Sequence, residues 1–294
     1  MPAFKAFVKR HPLLTFFVLT FAISWGGILI VIGGPSAIPT PSEQAMKLLP
    51  VAILFMVLGP SVAGILLTGL VYGRAGFREF LSRLLRWRVN VRWYAVALLI
   101  SPILITVILF VFSRTSSLFI PGIVTTGDKA ALVMSGIAAG LAAGIIEELG
   151  WTGFAIPRLR LRYGILVSGL ILGYIWGAWH FLVEFWGSGD PSGRLSLDLL
   201  IPPLIFYVGV LPAYRVLMVW VYDHTESLLV AMLMHATLTA NTTFILSPSV
   251  RGIPFMIYYL VLAAALWVVI TVIAATNGWR LSRRQLPRRV ASKG

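Results

Sequence analysis

Eight runs of about 20 consecutive apolar residues, each long enough to cross the hydrocarbon core of a bilayer as one helix, dominate this chain. They fall at roughly 12–33, 50–73, 93–113, 130–151, 165–186, 198–221, 227–246 and 254–276. Inside a bilayer every backbone N–H and C=O must be satisfied by the chain itself, so each run is expected to be helical. Composition agrees: 59% of the 294 residues are hydrophobic and 12% are charged, about half the charge of a water-soluble domain. A soluble enzyme, a disordered chain and a fibrous chain are all excluded on that ground. The expected fold is an all-α polytopic membrane protein, one membrane domain over 1–294 with a core region at about 130–246. Between the second and third runs, Phe77, Phe80, Leu81, Leu84 and Leu85 recur at helical spacing, flanked by Arg78, Arg83, Arg86 and Arg88. That pattern predicts an amphipathic interfacial helix over Gly76–Val89. Gly34–Ser42 and Gly187–Gly193 read as loops. No repeat and no low-complexity tract interrupts the pattern.

The formal charge of +14 would suit a nucleic-acid partner only if the basic residues formed a surface, and they do not. With the N-terminus inside, 18 of the 24 basic residues fall on one side of the membrane: Lys5 to Arg10, Arg74 to Arg92, Arg158 to Arg162, and a basic tail at about 280–294. Five, Lys47, Arg114, Lys129, Arg194 and Arg251, fall on the other, and Arg215 alone lies within a run. Cytoplasmic loops carry such an excess, so both termini are expected to be cytoplasmic. The high charge is membrane topology, with the lipid bilayer as partner and no nucleic acid. The first run follows Lys5, Lys9 and Arg10 as in a signal peptide, yet it lacks a small-residue cleavage site and is expected to remain as a span. There is no cysteine, which excludes thiol catalysis, thiolate metal sites and disulfides.

Ionisable residues within spans cost free energy and mark functional sites by default. Glu147 and Glu148 stand late in the fourth run, His180 and Glu184 in the fifth, Arg215 in the sixth and His235 in the seventh. Such groups either tie helices together or form a site. Glu147 and His235 lie 11 and 9 residues from the inner flanks Arg158 and Glu226, about 13–17 Å along a helix, so they can meet. His180, 18 residues past Arg162, counts as deeper. A carboxylate beside histidines can act as general base on water, and a second histidine can donate to an oxyanion or bind a metal. Gly140, Gly144, Gly150 and Gly153 give the fourth span a small face for close packing. No H-E-x-x-H occurs, and no serine has a histidine partner in sequence context. Gly187-Ser188-Gly189-Asp190 and Tyr222-Asp223 imitate the motifs of intramembrane aspartyl proteases. They fall in reversed order and at opposite faces, so they read as a turn and a short inner loop.

Three blocks resemble one family. Glu147-Glu148-Leu149-Gly150-Trp151-Thr152 looks like an E-E-x-x-x-R motif, Trp176-Gly177-Ala178-Trp179-His180 like F-x-x-x-H, and His235 to Thr239 like H-x-x-x-N. In this order they resemble the CAAX protease and bacteriocin-processing (CPBP) intramembrane proteases, also called type II CAAX prenyl endopeptidase-like proteins. The resemblance implies that Glu147 activates water with help from His180, that His235 stabilises the oxyanion, and that Glu148 is a supporting acid. Glu147, His180 and His235 are also a possible ligand set for a divalent metal such as zinc, and metal-assisted and metal-free mechanisms both stay open. The implied substrate is a membrane-associated peptide or protein, in CAAX-type or bacteriocin-related processing, and the expected location is a prokaryotic plasma membrane. The rival is a non-catalytic scaffold or self-immunity protein of the same fold, with a transporter third.

The chain departs from the motifs at Thr152 for Arg, Trp176 for Phe and Thr239 for Asn. Thr239 shares a helix face with His235. Arg215 is expected to replace the missing arginine beside Glu148, with Asp223 as its alternative partner. Glu147, His180 and His235 are expected to converge in one inward-opening cavity, with carboxylate–imidazole separations of about 3–6 Å.

Overall fold

The computed structural model describes residues 2–279 and residue 281; apart from Leu281, the expected basic tail from Arg280 on lies outside the described residues. Eight helical segments among them are long and apolar enough to cross a membrane: Pro12–Ile32, Ser42–Leu84, Val91–Ser113, Lys129–Leu159, Ile165–Gly187, Leu197–Thr225, Leu228–Ile245 and Gly252–Thr276. They correspond one for one to the eight apolar runs and are numbered as the first to eighth spans. No β-strand occurs among the described residues, only isolated bridges between Pro121 and Pro248 and between Gly189 and Leu195. The protein is an all-α, multi-pass integral membrane protein.

Local chemistry sets the ends. Pro12 opens the first span where its missing N–H costs nothing, and Gly33 closes it in a left-handed turn at φ 85°. The side chains of Asn90, Asp128 and Ser227 accept the backbone N–H of Arg92, Ala131 and Val230 at 3.0, 2.9 and 3.2 Å, satisfying donors that a helix start leaves open. The second span begins at Ser42, earlier than its apolar run, and its polar first turns carry Glu43 and Lys47 one turn apart, paired at 2.7 Å. At its other end a π-turn over Thr68–Tyr72 leads straight into the amphipathic helix Gly73–Leu84, which starts and stops a few residues before the expected bounds. Phe80 and Leu84 pack with Leu228 and Met232, while Phe77, Leu81 and Leu85 remain exposed, as an interfacial helix requires.

Two ladders of glycines four residues apart bring the spans that carry the polar residues together. Gly136, Gly140 and Gly144 of the fourth span face the seventh, so closely that a Cβ at Gly144 would lie 2.9 Å from Ala236 N. Gly169, Gly173 and Gly177 of the fifth span face the sixth, where a Cβ at Gly173 would lie 2.5 Å from Pro212 Cα. Without side chains in the way the backbones approach and gain dispersion contacts, the main source of association between helices in lipid. Gly64 and Gly150 pack the second span on the fourth in the same manner, and Ser61 Oγ donates to Ile146 O across that contact. Each ladder ends one turn before the chemistry: Gly144 precedes Glu147 and Glu148, and Gly177 precedes His180.

Candidate active site

Glu147, His180 and His235 line one cavity of about 600 Å³. Its walls come from the second, fourth, fifth, sixth and seventh spans, and they include Trp176, Glu184, Tyr207 and Thr239. Two π-turns line it, over Phe206–Val210 and Ala240–Ile245, and a third, over Trp151–Ala155, follows Glu147 and Glu148 along the fourth span. A π-turn adds a residue to a helical turn and rotates the next side chains about the helix axis, and such turns concentrate at functional sites.

The two adjacent glutamates have different surroundings. Glu147 Oε2 accepts two indole N–H groups, from Trp176 at 2.9 Å and Trp151 at 3.3 Å; Oε1 has no hydrogen-bond partner among the described residues. Glu148 is fully buried and saturated. Its Oε1 lies 2.7 Å from His235 Nδ1, and its Oε2 accepts from Arg215 at 2.9 Å and from the Thr152 hydroxyl. Arg215 is also fully buried and lays its guanidinium over the Trp176 ring at 4.1 Å. Arg215 thus pairs with Glu148, and Asp223, the alternative, pairs instead with Arg160 at 2.7 Å. A buried ion pair of this kind needs both members, because either alone would be an uncompensated charge in an apolar medium.

The tautomer of His180 follows from its partner. Nδ1 lies 2.8 Å from Trp176 O, a carbonyl that only accepts, so Nδ1 carries the proton and Nε2 keeps a lone pair. The ring stacks on Tyr207 at 4.4 Å and 13° and meets the edge of Trp179 at 4.8 Å. Tyr207 donates its hydroxyl to Glu184 Oε1 at 2.5 Å. This Glu184–Tyr207 support was not assigned from the sequence. Glu184 is one turn past His180 and offered a signal, whereas Tyr207 is on another helix and offered none. Thr239 reaches the cavity wall, while Asn241 turns its amide to Thr237 O at 2.8 Å.

The site adds one contact and corrects two expectations. First, a direct carboxylate–imidazole contact joins Glu148 to His235. The Trp176 indole occupies the ground between Glu147 and His235, bonded to Glu147 and 4.9 Å from the His235 ring. Trp176 stands one turn before His180 on the same helix, and its indole is what reaches Glu147. Second, the possible zinc set is not assembled: among the described residues no group of three or more His, Asp or Glu side chains is placed to hold a metal ion. Third, the cavity does not open toward the arginine-rich loops. Its wall runs through Gly187, Ser42 and Arg251, which belong to the opposite face. The early start of the second span supplies that part of the wall.

The fold and site together define a multi-pass membrane protein with a buried carboxylate–histidine cavity. Residues 129–241 match the family model described as Type II CAAX prenyl endopeptidase Rce1-like. Over 101 residues the chain is 26% identical to a protein named CAAX prenyl protease 2 from Methanococcus maripaludis, a stretch covering 34% of this chain and 37% of that relative. The match therefore spans about a third of the relative's length. The segment that matches the family model contains Glu147, Glu148, His180, Arg215, His235 and Thr239, so the family resemblance extends beyond the three short motifs.

Proposed function

We propose that this protein is an intramembrane endopeptidase of the CAAX-protease type, cleaving a membrane-associated peptide or protein with water activated by Glu147. The observation that carries this reading is the division of labour between two neighbouring carboxylates. Glu148 is fully engaged by His235, Arg215 and Thr152, whereas Glu147 keeps an uncommitted oxygen at the wall of a cavity shared with His180 and His235. Water held between Glu147 Oε1 and the lone pair on His180 Nε2 loses its proton to Glu147 as its oxygen attacks the peptide carbonyl. The Nδ1 of His235 donates to the Glu148 carboxylate, so Nε2 donates to the oxyanion when the ring is the imidazolium, a form that the Glu148 carboxylate stabilises. Glu147 then returns its proton to the leaving amine, the C–N bond breaks, and a carboxylate and an amine remain. The Thr239 hydroxyl is a further candidate donor, in the place of the motif asparagine. No step is routed through a metal, because the residues do not form a ligand set.

Glu147→Gln tests this directly. The amide keeps the size of the side chain and can still accept the two indoles, but it cannot take a proton. Cleavage of a membrane-tethered peptide by purified protein should fall by about 10²–10⁴-fold with the yield of folded protein unchanged. Full activity in that variant would end the case for catalysis here and favour a non-catalytic scaffold.

A further inference from the structure

The two ends of the cavity differ. Toward the arginine-rich loops it is shut in layers. Arg215, Glu148 and Thr152 lie beneath the site, and Phe16, Trp151 and Phe154 are packed ring to ring, with centroids 5.2 to 5.6 Å apart and no exposure. Beyond them, Arg83 bonds Tyr222 at 3.0 Å, Arg160 pairs with Asp223, and Ser227 ties itself to Arg86 O at 2.6 Å. Toward the other face the wall continues through Met46, Thr243 and Arg251, all exposed, to Ser42 and Gly187 at the ends of their spans. The distribution of basic residues then gives the two faces their sides, since the sealed face carries the loops with Arg74 to Arg92 and Arg158 to Arg162.

We propose that the site takes its substrate from the face opposite the arginine-rich loops, the outer face of the membrane. The occupant of the cavity is therefore the membrane-proximal segment of a polypeptide that has crossed or been exported, and not a cytoplasmic tail. This rests on the peptidase reading for what happens to the substrate, but the direction of access is a separate property of the fold. The chemistry of the mouth agrees with such an occupant. Apolar side chains such as Met46 and Leu49 suit a segment leaving the bilayer, and the hydroxyls of Ser42 and Thr243 suit its backbone groups.

The chain has no cysteine, so single-cysteine variants report access without background. Thr243→Cys and Met46→Cys probe the mouth, Ala139→Cys the cavity wall, and Arg88→Cys the sealed face. Each full-length variant is expressed in bacterial spheroplasts and treated with a membrane-impermeant maleimide before and after permeabilisation. The mouth variants should label fully in intact spheroplasts, with Ala139→Cys following more slowly and Arg88→Cys labelling only once permeabilised. Labelling of Arg88→Cys in intact spheroplasts, or of the mouth variants only after permeabilisation, would overturn the proposal. The two readings fail separately. Inner-side labelling with an inactive Glu147→Gln variant would sink outer access and leave the peptidase standing, and outer-side labelling with an active Glu147→Gln variant would do the reverse.

Discussion

Successive helical residues point about 100° apart, and Glu147 and Glu148 make use of that angle. One carboxylate looks into the cavity and the other into the contact with the sixth and seventh spans, where it meets Arg215 and His235. Removing one partner of a buried pair costs about 3–5 kcal/mol, so Arg215→Met should lower the thermal midpoint in detergent sharply. Thr152→Val, which deletes one hydroxyl, should cost less, about 1–3 kcal/mol. The Arg215 partnership was legible in the sequence because a lone guanidinium in an apolar span demands an acid, and the missing motif arginine left one short of charge. The support of His180 was not legible, since Tyr207 reaches it from another helix and nothing in the spacing along one chain reports a stack between two. Tyr207→Phe keeps the ring but loses the bond to Glu184. It should lower kcat by about 3- to 10-fold, the worth of one hydrogen bond, with KM held. Tyr207→Ala should lower it further. Equal kcat values for all three proteins would remove Tyr207 from any positioning role.

At the scale of elements, the glycine ladders set how near the polar residues come. Their cost can be read from contrast. Gly173→Ala places a methyl group against the Pro212 backbone, and Gly26→Ala, in the first span, places one in open space. The first should reduce the fraction of folded protein and push the fifth span from the sixth far enough to lose activity. The second should be neutral or stabilise by up to about 1 kcal/mol, because alanine is the better helix former. Denaturation in detergent micelles and cleavage rates on the same preparations would separate them, and similar losses at both positions would show that close approach is not what the ladder provides. The small face of the fourth span was visible in advance, because its glycines and alanines are contiguous. That of the fifth was masked by Tyr174 and Trp176 between its glycines. The start of the second span was misplaced for a related reason: Glu43 and Lys47 look like loop residues singly, and their pairing one turn apart is seen only in the structure.

For the molecule as a whole, hydropathy revealed every span, and the charge pattern gives an orientation that can be measured. A fluorescent reporter fused to the C-terminus should fluoresce, and alkaline phosphatase fused there should be inactive; the opposite pair of results would reverse the assigned sides. The face on which the cavity opens was beyond the reach of residue counting, which treats helices as upright and equal. It depends on aromatic packing beneath the site and on an early helix start above it. The layered closure on the basic face has a consequence for turnover. If entry and exit are confined to the face proposed above, the chamber works in batches: the scissile segment, the water and both fragments share one route, and a fragment that lingers bars the next arrival. Departure would then set the pace. Rapid mixing should show a first turnover faster than the steady state, with an amplitude equal to the concentration of active protein, and added cleaved fragment should slow the second round while sparing the first.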